Sequence, residues 1–242
     1  MKNVPILFED DHFVIANKPA NLLSTPDRFR SELPSLKSIF RQKYGEIFVL
    51  HRLDLETSGV IAFGKHIDVQ RQFTEMQINN EVSKEYLAIV DGLISKQSGT
   101  IDLPLIYDGG KTYVNHKDKK AKQSITHFEV LETYDHYSIV RCSIKSGRTH
   151  QIRVHLAHTG MPLAVDRFYG HTQAIYLSQF KKKRYNKKET EERPLISRLS
   201  LHAESIEFKH PFTKEKLKVK AELHKDMKAF INQLKKNLGG KN

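Results

Sequence analysis

Residues 48–63 read Phe48-Val49-Leu50-His51-Arg52-Leu53-Asp54-Leu55-Glu56-Thr57-Ser58-Gly59-Val60-Ile61-Ala62-Phe63. Two short apolar runs bracket a polar stretch that closes on Thr57-Ser58-Gly59, a pattern that predicts strand, turn, strand. The turn carries a carboxylate, Asp54, two residues after a guanidinium, Arg52. Loops mounted on a sheet are common sites for reactive groups. An aspartate in such a turn can equally well accept backbone N–H bonds and organise the chain.

Outward from this segment, strands and helices alternate irregularly. Ile6–Glu9 and Phe13–Ala16 read as a hairpin around Asp10-Asp11, and Lys18-Pro19 ends the second strand. Ser35 is a good N-cap for a helix carrying Leu36, Ile39, Phe40 and Tyr44 at helical spacing, closed by Gly45. Asp68 is expected to cap a second helix with Val69, Phe73 and Met76 on one face. Tyr86-Leu87-Ala88-Ile89-Val90 is a nearly unbroken apolar run, ended by Asp91-Gly92, and reads as a strand buried on both faces. Residues 93–108 carry no assignment, and 109–123 is a polar, lysine-rich loop or ribbon. Strands are expected at 125–132 and 137–145, then a helix from Thr149 to Thr159, stopped by Gly160 and Pro162. Two strands near Leu199–Ala203 and Leu217–Ala221 precede a closing helix from His224 to Leu238, with Met227, Phe230, Ile231 and Leu234 on one side. Without strict βαβ alternation, the expected class is α+β: a mixed, mainly antiparallel β-sheet with helices packed on it. One domain, residues 1–242, is the economical reading, with a basic insertion at about 171–194 that contains Lys181-Lys182-Lys183-Arg184.

With 242 residues the chain can bury a sizeable core. Its 40 Lys+Arg against 28 Asp+Glu leave a formal charge of +12. That balance favours polyanionic partners, nucleic acid first, although surplus surface lysine would look the same. Cys142 is the single cysteine, which excludes an intrachain disulfide and a cysteine-based zinc site. No signal peptide pattern and no apolar run near ~20 residues is present, so a cytoplasmic setting without membrane contact is expected.

The run His51-Arg52-Leu53-Asp54-x-x-Thr57-Ser58-Gly59 resembles the active-site signature of the RluA family of RNA pseudouridine synthases. Two further runs resemble that family: Gly147-Arg148-Thr149-His150-Gln151-Ile152-Arg153-Val154-His155, and Lys84-x-Tyr86-x-Ala88-x-Val90-x-Gly92. Shorter matches at Leu7–Asp11, Asn17–Ala20, His158–Gly170 and Arg198–Pro211 extend the likeness from about residue 5 to 225. The resemblance implies the pseudouridine synthase catalytic fold and isomerisation of a uridine in structured RNA, tRNA or rRNA, without metal or cofactor. It implies that Asp54 is the reacting carboxylate, as nucleophile at C1′ or base at C2′, and that Tyr86 faces the target base. Arg148 would pair with Asp54, and Arg52 would enter the RNA in place of the extruded nucleotide.

A carboxylate suits glycosyl chemistry, and inside a dry pocket it needs a nearby cation to stay ionised. An aromatic ring can replace part of the stacking that a flipped base loses. His150, Arg153 and the run Lys181, Lys182, Lys183 and Arg184 are the expected RNA contacts, and His51 is expected to be structural. His150, His155 and His158 invite a metal reading, with His155 and His158 three apart on a helix, but no carboxylate or cysteine at suitable spacing completes a set. Many relatives carry an S4-type RNA-binding domain ahead of the catalytic one. Here the first motif begins almost at Met1, so a stand-alone catalytic domain, working as a monomer, is expected. The rival readings are a non-catalytic RNA-binding protein on the same scaffold and an RNA hydrolase using Asp and His.

Overall fold

The computed structural model describes residues 4–27, 32–94, 96–171, 173–180 and 192–238. Two compact units emerge, and neither is a continuous segment. The first contains Met1–Tyr86, Ser143–Gly147 and His202–Glu222; the second contains Leu87–Cys142, Arg148–Leu201 and Leu223–Asn242.

In the first unit, β1 (Ile6–Glu9) and β2 (Phe13–Lys18) form the expected hairpin, turned by Asp10, whose Oδ1 accepts the N–H groups of His12 and Phe13. Helix α1 (Leu36–Tyr44) begins where the sequence places it: Ser35 Oγ accepts the Ser38 N–H at 3.1 Å, and Gly45 closes it. β3 (Phe48–Val49) and β4 (Ser58–Gly64) flank the Asp54 turn. Helix α2 (Ile67–Ile78) starts one residue before Asp68, with His66 at the cap and no side-chain cap bond. Asp68 sits in the first turn, where a carboxylate suits the helix dipole, and pairs with Arg71 at 3.2 Å.

Further along the chain come β5 (Ser83–Asp91), β10 (Leu201–Lys209) and β11 (Lys216–Lys220). The strand order within this unit is β1-β2-β4-β10-β5, with β3 beside β4 and β11 beside β10. The β4–β10 pair is parallel, with His202 opposite Ser58 and Ala203 opposite Gly59, while β1–β2, β2–β4, β3–β4 and β10–β11 are antiparallel. Every residue of β4 is buried. Its Val60 and Ala62 join a core with Phe13, Ile15, Val69, Phe73, Met76, Ile206 and Phe208.

The second unit orders the end of β5, then β9 (Tyr137–Ile144), β8 (Lys122–Thr133), β6 (Ser98–Asp108) and β7 (Lys111–Val114). The polar stretch after 108 is a ribbon. β6 and β7 are joined at Gly109-Gly110, both with positive φ (55° and 85°), as a tight hairpin turn requires. β6 is a strand that the hydrophobic pattern does not announce, because Gly99, Asp102 and Pro104 interrupt it. Pairing with β8 from Ser98 to Leu105 supplies its order. Helix α3 (Gln151–His158) starts two residues later than the spacing predicts.

Helix α4 (Lys225–Leu238) buries Met227, Phe230 and Leu234 against Tyr134, Ile139 and Phe180. Its first turn is held by Asp226, which takes Arg198 Nε and Nη2, both at 2.6 Å. Mixed, mainly antiparallel strands with helices packed on them are the expected class. No helix among the described residues is long and apolar enough to cross a membrane.

Candidate active site

The Asp54 turn is fastened from several sides within its own unit. Ser24 Oγ donates to the Leu53 carbonyl at 2.7 Å and accepts the Leu53 N–H at 3.0 Å. The Asp54 carbonyl accepts the Thr57 N–H at 3.1 Å, closing the turn. The Leu55 carbonyl accepts the Asn21 N–H and the Lys18 ammonium. Beyond the turn, Ser58 Oγ and His202 Nδ1 lie 2.9 Å apart. His51 Nε2 accepts the Ala62 N–H at 3.1 Å, as a structural histidine would.

Gly59 follows with φ +115°, facing Ala203 so closely that a Cβ would lie 2.1 Å from the Ala203 carbonyl oxygen. Only glycine fits that backbone. The motif's final residue is therefore a packing requirement of the β4–β10 pair, and the chain it holds still is the one carrying Asp54. Among the described residues, Thr57 Oγ1 is the buried side-chain oxygen that lacks a partner.

Asp54 is half-buried and Arg52 is exposed. Tyr86 lies on β5 with 7% of its surface exposed. Burial first, and the Asp54 charge second, push its phenol above the ordinary tyrosine range. Asp54 and Tyr86, 32 positions apart in the chain, thus share one electrostatic neighbourhood. The phenol there stays protonated, able to donate a hydrogen bond and offer a ring face.

The second unit carries the Arg148 segment. Gln151 locks the turn that precedes α3: its Oε1 accepts the Arg148 N–H at 3.1 Å, and its Nε2 donates to the Ile125 carbonyl at 2.9 Å and Thr126 Oγ1 at 3.2 Å. The Arg148 side chain is exposed. His150 takes a left-handed backbone, φ 55°. The Thr112 N–H donates to the Tyr169 hydroxyl, which lies 2.9 Å from His150 Nδ1.

Arg153, expected at an RNA surface, is 4% exposed. Its Nε and Nη2 grip Asp166 at 2.9 and 2.8 Å, and its guanidinium lies against the Phe168 and Tyr169 rings. That places it behind a surface, not on one. His155 is buried, with Nδ1 2.9 Å from Thr126 Oγ1 and Nε2 3.3 Å from the Leu103 carbonyl, and burial lowers its pKa. Lys181, Lys182, Lys183 and Arg184 lie outside the described residues.

Two features escape sequence reading. Asp10, His12 and His210 bring their ligand-type atoms within 4.8 Å of one another. His210 Nε2 lies 3.0 Å from Asp10 Oδ2, while its Nδ1 accepts the Phe212 and Thr213 N–H groups. Both ring nitrogens are thus spent on joining two turns. The other feature is Lys84, buried at 4% exposure on the same strand as Tyr86. Its signal in the sequence is the two-residue spacing from Tyr86, which puts both on one strand face.

Comparison with known proteins identifies the family. Residues 12–158 match the model of the family described as RNA pseudouridylate synthase. The dual-specificity RNA pseudouridine synthase RluA of Pasteurella multocida is 35% identical over 222 residues, covering 89% of this chain and 91% of that protein. Ribosomal large subunit pseudouridine synthase C of Buchnera aphidicola is 33% identical over 235 residues, covering 96% and 71%. In fold, the chain resembles human RNA pseudouridylate synthase domain containing 4, with a TM-score of 0.73 at 23% identity, over 96% of this chain and 93% of that one. The chain therefore belongs to the RluA-type RNA pseudouridine synthases, and it is an isomerase of RNA uridines.

Proposed function

We propose that Asp54 is the reacting carboxylate and Tyr86 the ring against the target base. The observation that carries this reading is the pairing of a fastened, half-buried carboxylate with a buried, protonated phenol in one unit. Isomerisation breaks N1–C1′ and joins C5 to C1′, so C5 loses a proton and N1 gains one. A carboxylate can open the glycosidic bond by attack at C1′ or by taking a proton from C2′. The phenol, kept neutral, supports the base while it turns. Arg148 is assigned by family likeness as the cation that pairs with Asp54, and Arg52 as the side chain that fills the place of the flipped nucleotide. Arg52's exposure on the rim of the Asp54 turn suits that role.

The substrate is a structured RNA, tRNA or rRNA, since the relatives carry names for dual-specificity and large-subunit enzymes. His150 and the run Lys181, Lys182, Lys183 and Arg184 are assigned to RNA contact, and the whole chain to one catalytic domain that works as a monomer in the cytoplasm. Tritium release from RNA labelled at uracil C5 tests the core of this reading. Wild type is expected to release label, and Asp54→Ala and Asp54→Asn are expected to release none above background. Robust release by either variant refutes the role of Asp54.

A further inference from the structure

Two lysines of the unit that carries Asp54 are almost wholly buried, and the fold treats them in opposite ways. Lys18 is 0% exposed, and its ammonium donates to three carbonyls, those of Leu22 at 2.7 Å, Pro19 at 3.1 Å and Leu55 at 3.2 Å. Lys84 is 4% exposed and has no hydrogen bond or ion pair among the described residues. Among the described residues, the buried polar side-chain atom without a partner is Thr57 Oγ1, and Lys84 Nζ is not counted with it.

The surroundings of the Lys84 ammonium are specific. Lys84 and Tyr86 are the buried positions of an alternating stretch of β5, so they project from one face of the strand about 7 Å apart along it. Tyr86 in turn feels the Asp54 carboxylate. Gly147 is a close neighbour: a Cβ there would lie 3.2 Å from Lys84 Nζ. A side chain at 147 would crowd the ammonium. His51 also senses the Lys84 charge, and it is held neutral by burial first and that charge second. Burial pulls the lysine down to about 8, which leaves it mostly protonated at neutral pH.

A desolvated cation without a counter-charge is costly, and replacing it with an apolar side chain of similar size commonly stabilises a protein. Such a group is sensible where a ligand brings the missing anion. We propose that Lys84 is the anion seat of the uridine pocket, its ammonium pairing with a negative group delivered by the bound RNA. The proposal rests on reading the Asp54–Tyr86 pocket as the catalytic one. Two parts of the RNA offer that chemistry. One is a phosphodiester beside the target nucleotide. The other is the base itself: when N1–C1′ breaks, the bonding pair stays on uracil, which is anionic over N1 and its two carbonyl oxygens until C5 bonds C1′; C5 then loses its proton and N1 gains one. Lys84 donates a hydrogen bond to either one and takes no covalent part.

The test uses the full chain as wild type, Lys84→Met, Lys84→Arg and Asp54→Asn. Binding of an unmodified RNA substrate is measured across a salt series, and single-turnover tritium release at saturating enzyme. Lys84→Met is expected to melt at or above the wild-type temperature, because the uncompensated charge is gone. If the anion is a phosphate, Kd rises on the order of 10-fold, and the salt slope falls by about one, with the saturated rate unchanged. If it is the detached uracil, the single-turnover rate falls by about 100-fold or more at unchanged Kd, and Lys84→Arg recovers part of it.

A Lys84→Met variant with rate, Kd and salt slope all within about twofold of wild type overturns the proposal. So does a melting temperature lower by more than about 5 °C, since that would mean the lysine has a stabilising partner. Asp54→Asn separates the two levels. If it keeps its rate, the pocket is misread; if it loses its rate while Lys84→Met is unaffected, the anion seat alone fails.

Discussion

Replacing Gly59 by alanine separates two reasons for the glycine that follows the Asp54 turn. Its φ of +115° costs an L-residue about 1–2 kcal/mol wherever it occurs. Gly92 has nearly the same φ, +109°, with nothing within 4 Å of its would-be Cβ, so Gly92→Ala measures that backbone cost alone. At Gly59 the new methyl would stand 2.1 Å from the Ala203 carbonyl oxygen and 2.6 Å from the Ala203 nitrogen. Relief requires the backbone of β10 to retreat by about 1 Å, since close-packed interiors leave no slack. That adds about 1–3 kcal/mol of overpacking and about 1 kcal/mol for a weakened Ala203–Gly59 pairing. Gly59→Ala should therefore lose about 3–6 kcal/mol, and Gly92→Ala about 1–2 kcal/mol. Urea unfolding of both variants beside wild type measures the two losses. Tritium release should fall for Gly59→Ala even where it remains folded, because the displaced chain carries Asp54. Equal destabilisation by the two substitutions would refute the close-approach argument.

Acid should expose His51. Its folded pKa, lowered from 6.5 to about 3 by burial and the Lys84 charge, leaves the unfolded chain binding more protons between those values. The stability contributed by neutral His51 is thus full above 6.5 and is lost as pH falls toward 3, at up to about 1.4 kcal/mol per pH unit. Urea unfolding from pH 6.5 to 4.5 should cost wild type about 1–3 kcal/mol more than His51→Asn; parallel pH profiles would contradict the burial argument. Asp166→Ala strips a side chain of 0% exposure from Arg153 and also removes the acceptor of the Phe168 and Tyr169 N–H groups. A loss of about 3–5 kcal/mol is expected, with partial recovery when Arg153→Met is added, because the stranded cation is then gone; strict additivity in a double-mutant cycle would argue against the pair. Cys142 is fully buried, with its thiol pushed up to about 12. A chromogenic disulfide reagent should titrate no thiol in the native protein and one after unfolding in urea, and rapid native labelling would place the strand wrongly.

Local patterns carried most of the element positions. Ser35 and Gly45 bracket α1 because capping depends on the two residues at its ends. The amphipathic spacing of Met227, Phe230 and Leu234 marked α4 for a similar reason. β6 stayed hidden because Pro104 and Asp102 break its apolar alternation, and its order comes from pairing with β8, 17 to 31 positions away. Asp68 lies two positions past the cap, His66, since the helix begins at Ile67 and leaves it inside the first turn. His150's left-handed backbone, which delays α3 to Gln151, has no local signature, and the residue's ring meets a side chain from another segment, Tyr169.

The sequence by itself determined the reaction class. Motifs around Asp54, Tyr86 and Arg148 carry it in contiguous residues, and the charge balance fits the polyanionic partner that they imply. The fate of each charged side chain was decided only by the tertiary structure. Arg153 reads as a surface cation yet is spent on Asp166, while Arg52 and Arg148 are exposed. Lys18 and Lys84 are both lysines on strands, but one is satisfied by three carbonyls and the other is buried without a partner among the described residues. The physical reason is range. Whether a charge is solvated, paired or stranded depends on groups that folding brings from distant positions, such as Gly147 beside Lys84, and no periodicity along the chain encodes that.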